Sequence, residues 1–248
     1  ELTGEGVTLD QTWSVAHEKK TVVKLAASAR EKMKASRDFI EARMAAGEVI
    51  YGVNTGFGAF SSVRISPSEI EELQVNLIRS HSAGIGEPFT AEQTRAIMFL
   101  RANALARGHS GIRIEVVEKI LEFLNKNIIP VIPSQGSVGA SGDLAPLSHL
   151  ALALIGEGKV WGDSGPVDVT QALKSQGVDP LVLKAKEGLS LINGCQVMTA
   201  IGLLSAFEAR RLLWCLDAAG SMTLEAMRGS RAAFDPLIAA TRPHPGEA

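Results

Sequence analysis

The sequence predicts a mainly α-helical protein with a few short strands, and three observations carry that reading. Apolar residues recur at three- and four-residue spacing through most of the chain. Capping boxes stand ahead of such stretches, at Ser66 with Glu69 and at Thr90 with Gln93, and glycines close them. The extended stretches between are short and punctuated by glycine or proline.

Taken in order, Val7, Thr8 and Leu9 read as a short strand, with Asp10 capping a brief helix through Ala16. A longer helix follows, with Val22, Leu25, Ala26, Ala29, Met33, Ile40 and Met44 on one face and Gly47 closing it. Residues 49–58 are extended and then carry three glycines in seven positions, the composition of a loop. Ser66, Pro67 and Glu69 open a helix whose stripe runs Ile70, Leu73, Leu77 and, in phase, His81, before Gly84 and Gly86. The next helix carries Ile97, Leu100 and Ala104 and stops at Gly108; another carries Val116, Val117, Ile120, Leu121 and Leu124. Pro130 and Pro133 force an extended approach to a glycine-rich loop at 136–142. A helix through Leu147, Leu150, Ala151 and Leu154 then ends at Gly156, and Lys159 to Val167 reads as a hairpin. From Cys195 to about Met227 the pattern is helical and apolar on most faces, so burial by several neighbours is expected. The tail from Arg242 is loop-like.

Composition bounds the function. At 248 residues the chain has room for one large domain or two small ones, and its 46% hydrophobic and 21% charged residues are those of an ordinary globular protein. A net charge of −2 makes no electrostatic case for nucleic acid or an anionic membrane. Two cysteines, Cys195 and Cys215, lie in apolar helical context; they read as core residues and point to a reducing compartment. The stretch 1–6 lacks the basic and apolar regions of a secretory leader, and no uninterrupted apolar run of about 18 residues argues for a span. The expectation is a cytoplasmic protein.

The loop before Leu144 is where the chemistry concentrates. Ala140, Ser141 and Gly142 are small enough for a bend that larger side chains block, and Asp143 stands where a first helical turn favours negative charge. Such a bend suits anion binding or backbone cyclisation. A Walker-type phosphate loop needs a lysine, and none lies between Asn127 and Lys159. A dinucleotide fingerprint needs a βαβ context that this helical pattern lacks. A nucleophile elbow needs a spacer after its serine, where Gly142 directly follows Ser141.

Residues 139–144 resemble the signature of the histidine/phenylalanine/tyrosine ammonia-lyase family. Residues 51–58 resemble that family's catalytic tyrosine loop, and Leu73-Gln74 through Ser80-His81 to Gly84 its substrate-pocket helix. Residues 187–194, ending in Asn193-Gly194, resemble its active-site asparagine segment, and Arg228-Gly229 through Arg242 to Gly246 also match. The motifs occur in family order and cover essentially the whole chain. The resemblance implies a truncated ammonia-lyase (L-aspartase/fumarase-like) fold, with a mixed domain over 1–190 and the beginning of a helical bundle over 191–248. It implies that Ala140, Ser141 and Gly142 cyclise with loss of water to methylidene-imidazolone, with no metal and no dissociable cofactor, and that Asp143 supports this. It makes Tyr51 the base for the β-proton, places Asn193 beside the prosthetic ring and the substrate amine, and sets Ser80, His81, Leu144 and Leu189 around the substrate.

Each of these residues also has a plainer reading. Ser141 is a turn residue, Tyr51 packs, His81 belongs to a core stripe, Asn193 caps a turn and Asp143 is a helix-start charge. His149 has no second ligand at metal-binding spacing on its helix. Ser80-His81, Gly136-Ser137-Val138, Gln196 and the closing 242–246 stretch resemble the histidine-using branch, implying conversion of L-histidine to trans-urocanate. The tyrosine- and phenylalanine-using branches remain the alternative, as does a catalytically silent fragment. Members of the family are considerably longer and form homotetramers, so the resemblance implies the N-terminal part of such a chain.

Overall fold

In the computed structural model, residues 1–56, 65–66, 69–138 and 142–244 are described. The core is organised around α4 (Ala91–Ala106), in which Ala96 to Leu100, Ala102, Leu105 and Ala106 are all buried. A helix apolar on every face needs neighbours on every face. It packs against α1 (Leu9–His17), α2 (Ala27–Ala45) and α5 (Ile114–Asn125). The Thr90 hydroxyl accepts from Gln93 N, and the Gln93 side chain accepts from Thr90 N, forming the expected capping box. Two buried charged side chains interrupt this helix. Arg95 donates to the carbonyls of Val15 (2.9 Å) and Leu124 (3.1 Å) and to Asn127 Oδ1 (3.1 Å), tying the ends of α1 and α5 together. Arg101 is described with the site below.

Helix α3 (Ile70–His81) buries Ile70, Gln74, Leu77 and Ile78, so the inward stripe is rotated from the expected one and Leu73 is only half-buried. Ser66 Oγ donates to Glu69 Oε2 at 2.5 Å, but the helix itself starts at Ile70, with Glu69 rather than Ser66 in the N-cap position and no side-chain cap; Pro67 lies outside the described residues. Strand β1 (Ile85–Pro88) pairs antiparallel with β2 (Pro133–Gln135), Ile85 opposite Gln135. This pairing sets the end of α3 beside the approach to the 136–142 loop. Helix α6 (Leu144–Leu154) leaves that loop, and β3 (Lys159–Gly162) and β4 (Gly165–Asp168) form the expected hairpin about Asp163 and Ser164. Then come α7 (Val169–Gln176), capped by Asp168 and closed by left-handed Gly177, and α8 (Glu187–Ile192).

Several expectations are corrected. Residues 7–9 form no strand, because Thr8, not Asp10, caps α1 through a reciprocal box with Gln11. Helix α2 begins at Ala27; Val22 is exposed, and Leu25 is buried by a bridge to Leu2. Helix α9 (Gln196–Ala226) has the expected extent, yet only Val197 and Ala200 in it are buried, and Cys195 and Cys215 are exposed. The chain divides into compact units at Glu1–Leu204 and Ser205–Ala248. The second contains the rest of α9, a 3₁₀ turn at Arg231–Phe234 and α10 (Pro236–Ala240), around an apolar groove of about 1180 Å³ lined by Leu216, Leu224, Met227 and Phe234. Among the described residues one stretch, Glu187–Ala226, is apolar and long enough to cross a membrane by length and composition. Core helices of helical bundles meet the same criterion.

One buried ion pair ties α5 to α8. The Glu187 carboxylate, fully buried, accepts from Arg113 Nε and Nη2 (both 2.7 Å) and from the backbone N–H of Lys184 (2.7 Å) and Arg113 (3.2 Å). Glu187→Ala strands Arg113 and opens two amides, so the unfolding free energy in urea should fall by about 3 kcal/mol. A loss below 1 kcal/mol would show that the pair does not hold α8.

Candidate active site

The end of the 136–142 loop is locked against the corner between α8 and α9. Gly142 is buried at φ +131°, where an added Cβ would lie 2.8 Å from Gly194 N and 3.2 Å from Asn193 Oδ1. Only glycine fits that conformation and that space. Asp143 N donates to Gly194 O at 2.6 Å. The Asp143 carboxylate is buried and accepts three hydrogen bonds: Ser137 Oγ at 2.8 Å on Oδ1, and the backbone N–H of Val197 (2.9 Å) and Met198 (3.0 Å) on Oδ2. Asp143 immediately precedes α6 but makes no side-chain cap to it; it caps α9 instead. The first-turn amides of α9 have no intrahelical acceptors and form the positive end of the helix dipole, which accounts for a buried carboxylate there. Gly139, Ala140 and Ser141 lie outside the described residues.

Asn193 follows α8, its N–H donating to Leu189 O at 2.9 Å. Beneath it lies Arg101 of α4, buried, whose guanidinium donates to the carbonyls of Asn193 (3.0 Å) and Ser190 and to Gln196 Oε1. Burial lowers the Arg101 pKa to about 10, with Cys195 and Asp143 partly offsetting that loss, so it is a cation at neutral pH.

The other wall is α3. Leu77 O accepts from Ser80 Oγ (2.8 Å) and from His81 Nδ1 (2.9 Å). A carbonyl cannot donate, so a His81 Nδ1 bonded to Leu77 O carries a proton; Ser80 Oγ also lies 3.1 Å from that nitrogen. Gln74 Oε1 accepts from Gly188 N at 2.9 Å, binding α3 to α8. His149 on α6 accepts the Gly84 N–H on Nε2 at 3.1 Å, holding the turn after His81, and its burial lowers its pKa. Leu144 and Leu189, half-buried, pack on the core from α6 and α8. Tyr51, 59% exposed, stands on a turn pinned by Asn54, whose Oδ1 accepts Ile50 N and whose Nδ2 donates to Glu48 O (both 2.7 Å).

Thus Gly142, Asp143 and Asn193 are drawn into one cluster, with Ser80 and His81 on a helix tied to it from two sides, while Tyr51 is held on its own turn. Sequence reasoning missed Arg101 and the bonding roles of Gln74 and His149. For Arg101 one signal was available, a cation inside a helix otherwise apolar on all faces. No cluster of metal-ligating side chains occurs among the described residues.

The mainly helical fold and the glycine-locked loop against an Asn-Gly corner agree with one family of proteins: the model of the aromatic amino acid lyase family matches residues 7–248, and the chain belongs to that family. Its similarities within the family are specific. It is 47% identical over 246 residues to a histidine ammonia-lyase of Caldanaerobacter subterraneus subsp. tengcongensis, covering 99% of this chain and 48% of that protein. Its fold matches the crystal structure of histidine ammonia-lyase from Trypanosoma cruzi with a TM-score of 0.91 and 41% identity, over 98% of this chain and 47% of that one. Tyrosine aminomutase from Streptomyces globisporus matches at TM-score 0.88 and 41% identity, over 94% and 43%. The chain spans about half the length of the curated relatives it matches.

Two predictions follow from this geometry. Asp143→Ala removes the acceptor for two α9 amides, so Val197 and Met198 N–H should exchange with solvent faster than the neighbouring core amides, and stability should drop by about 1–2 kcal/mol. Unchanged exchange would rule out the cap. His149 is harder to protonate folded than unfolded, so below about pH 6.5 the unfolded chain binds the extra proton and stability is lost as pH falls. The urea midpoint should therefore decline from pH 7 towards the lowered folded value, and His149→Gln should flatten that decline.

Proposed function

We propose that the chain is the N-terminal half of a histidine ammonia-lyase, which releases ammonia from L-histidine to give trans-urocanate. The observation that carries this is the lock of Gly142 onto the Asn193–Gly194 corner, in a chain whose curated relatives are named histidine ammonia-lyases. Gly142 has room only for an unsubstituted backbone, and its packing holds it at a left-handed φ. Those features fit a methylidene-imidazolone made from Ala140, Ser141 and Gly142. When formed, the ring supplies an electrophile that activates the amine as a leaving group and acidifies the β-position.

The chain's own residues do the rest in this reading. Asp143 and Ser137 fix the exit of the loop, and Asp143 supports cyclisation by holding it against α9. Asn193 presents its amide beside Gly142, near the substrate amine. Tyr51 takes the β-proton as the C–N bond breaks, leaving the unsaturated acid and ammonia. Ser80 and His81 line the ring pocket with Leu144 and Leu189, where the His81 ring is placed to meet a substrate imidazole. Residues 1–190 form the loop-bearing domain and 191–248 open the bundle. The exposed apolar residues Leu212, Leu213, Trp214 and Leu216 favour covering by the remainder of the protein and by other copies in a cytoplasmic homotetramer. The substrate is a small aromatic amino acid, with neither nucleic acid nor a membrane as partner.

A tyrosine-using enzyme is the second reading, favoured by the equal 41% identity to the tyrosine aminomutase. The full-length enzyme should show an intact mass lower by two waters per chain and should form urocanate from L-histidine. Ser141→Ala should retain both waters and lose at least about 1,000-fold in kcat. Turnover of L-tyrosine without urocanate formation would replace the histidine assignment; an unshifted wild-type mass would leave Ser141 a loop residue in a silent chain.

A further inference from the structure

We propose that Arg101 is a positioning residue for Asn193, setting the angle at which the Asn193 amide faces Gly142; this rests on the lyase reading above. The carbonyls of Ser190 and Asn193 sit where α8 ends, and helix-end carbonyls have no intrahelical donors. Both are met by one guanidinium, which also holds Gln196 at the start of α9. A planar fork with several fixed donors can impose one geometry on three acceptors, which a lysine ammonium cannot. The corner is drawn so tight that a Cβ on Gly194 would collide with Arg101 Nη1 and Gln196 Oε1. From the opposite side the same Gly194 accepts the Asp143 N–H and abuts Gly142. Asn193 is therefore gripped between a buried cation below and the loop above, and its orientation is set by the cation.

Helix α4 supplies its own control. Arg95 is also buried, six residues away, and bonds Val15, Leu124 and Asn127, none of which belongs to the site. If burying a guanidinium in α4 served stability alone, the two arginines would behave alike.

The test is a double-mutant cycle in the full-length enzyme, using whichever of L-histidine and L-tyrosine the unmodified enzyme turns over. Arg101→Met should keep the loss of two waters and change KM by less than about threefold while lowering kcat by about 100-fold, the effect of a small misplacement of a reacting group. In an Asn193→Ala background the same substitution should lower kcat by less than about threefold, because the residue it positions is gone. Arg95→Met should lower the thermal midpoint and scale kcat by the same factor in both backgrounds. Equal kcat losses for Arg101→Met with and without Asn193, or no loss at all, would overturn the proposal. Should Arg101→Met fail to fold, Arg101→Lys takes its place in the cycle under the same criteria, since it keeps the charge and loses the fork. Full turnover by Asn193→Ala alone would instead remove the role of Asn193, and the positioning role with it, before any Arg101 variant is made.

Discussion

A single buried carboxylate holds the site together. An ionised group taken out of water costs several kcal/mol unless its lone pairs are met. Asp143 meets that condition with a hydroxyl and two amides at the N-terminus of α9, where the helix dipole adds to the attraction. The consequence is geometric. Asp143 is bound to α9 by its side chain and to Gly194 by its backbone, so its neighbour Gly142 has nowhere to go but against the Asn193–Gly194 corner. Loop exit, α6 and α9 thus share one junction.

The same logic recurs with the opposite charge. Helix α4 is largely buried, yet it carries two arginines whose guanidiniums are spent on helix-end carbonyls and side-chain amides. Each satisfies groups that helix termini leave open. Glu187 does this as an anion, meeting the amide of Lys184 and the start of α5 through Arg113. Arg95, Arg101, Asp143 and Glu187 thus join helix ends, whereas buried Arg37 donates to the loop carbonyls of Gly111 and Ala185.

Much of the fold was legible because its signals are local. The Thr90–Gln93 box, the 159–167 hairpin and the extent of α9 depend on residues within a few positions of one another. Even so, Thr8 displaced Asp10 as a cap, since a reciprocal box with Gln11 satisfies two donors where a lone carboxylate meets one. Helices α7 and α8 went unread, being short and weakly periodic. The site was half legible. Gly142, Asn193 and His81 stand in motifs, whereas the α9 partners of Asp143 lie 54 and 55 residues further on, and those of Arg101 between 89 and 95. No periodicity reports a bond at that separation. A charged residue in an apolar helix announces only that some partner exists.

Helix α9 shows how one element serves two purposes. Its first turns supply the amides that Asp143 binds and the buried side chains of Val197 and Ala200, all within the unit Glu1–Leu204. Past Leu204 it contributes nothing to those bonds and turns Leu212, Leu213, Trp214 and Leu216 to solvent. An apolar surface of that kind raises the free energy of an isolated chain and is relieved only by covering. The junction at Gly142 is thus complete within its own unit, and the later turns of α9 carry a separate demand for burial. Loss of whatever covers them would leave the Asp143 cap in place, because the bonds that fix it end two turns earlier in the helix.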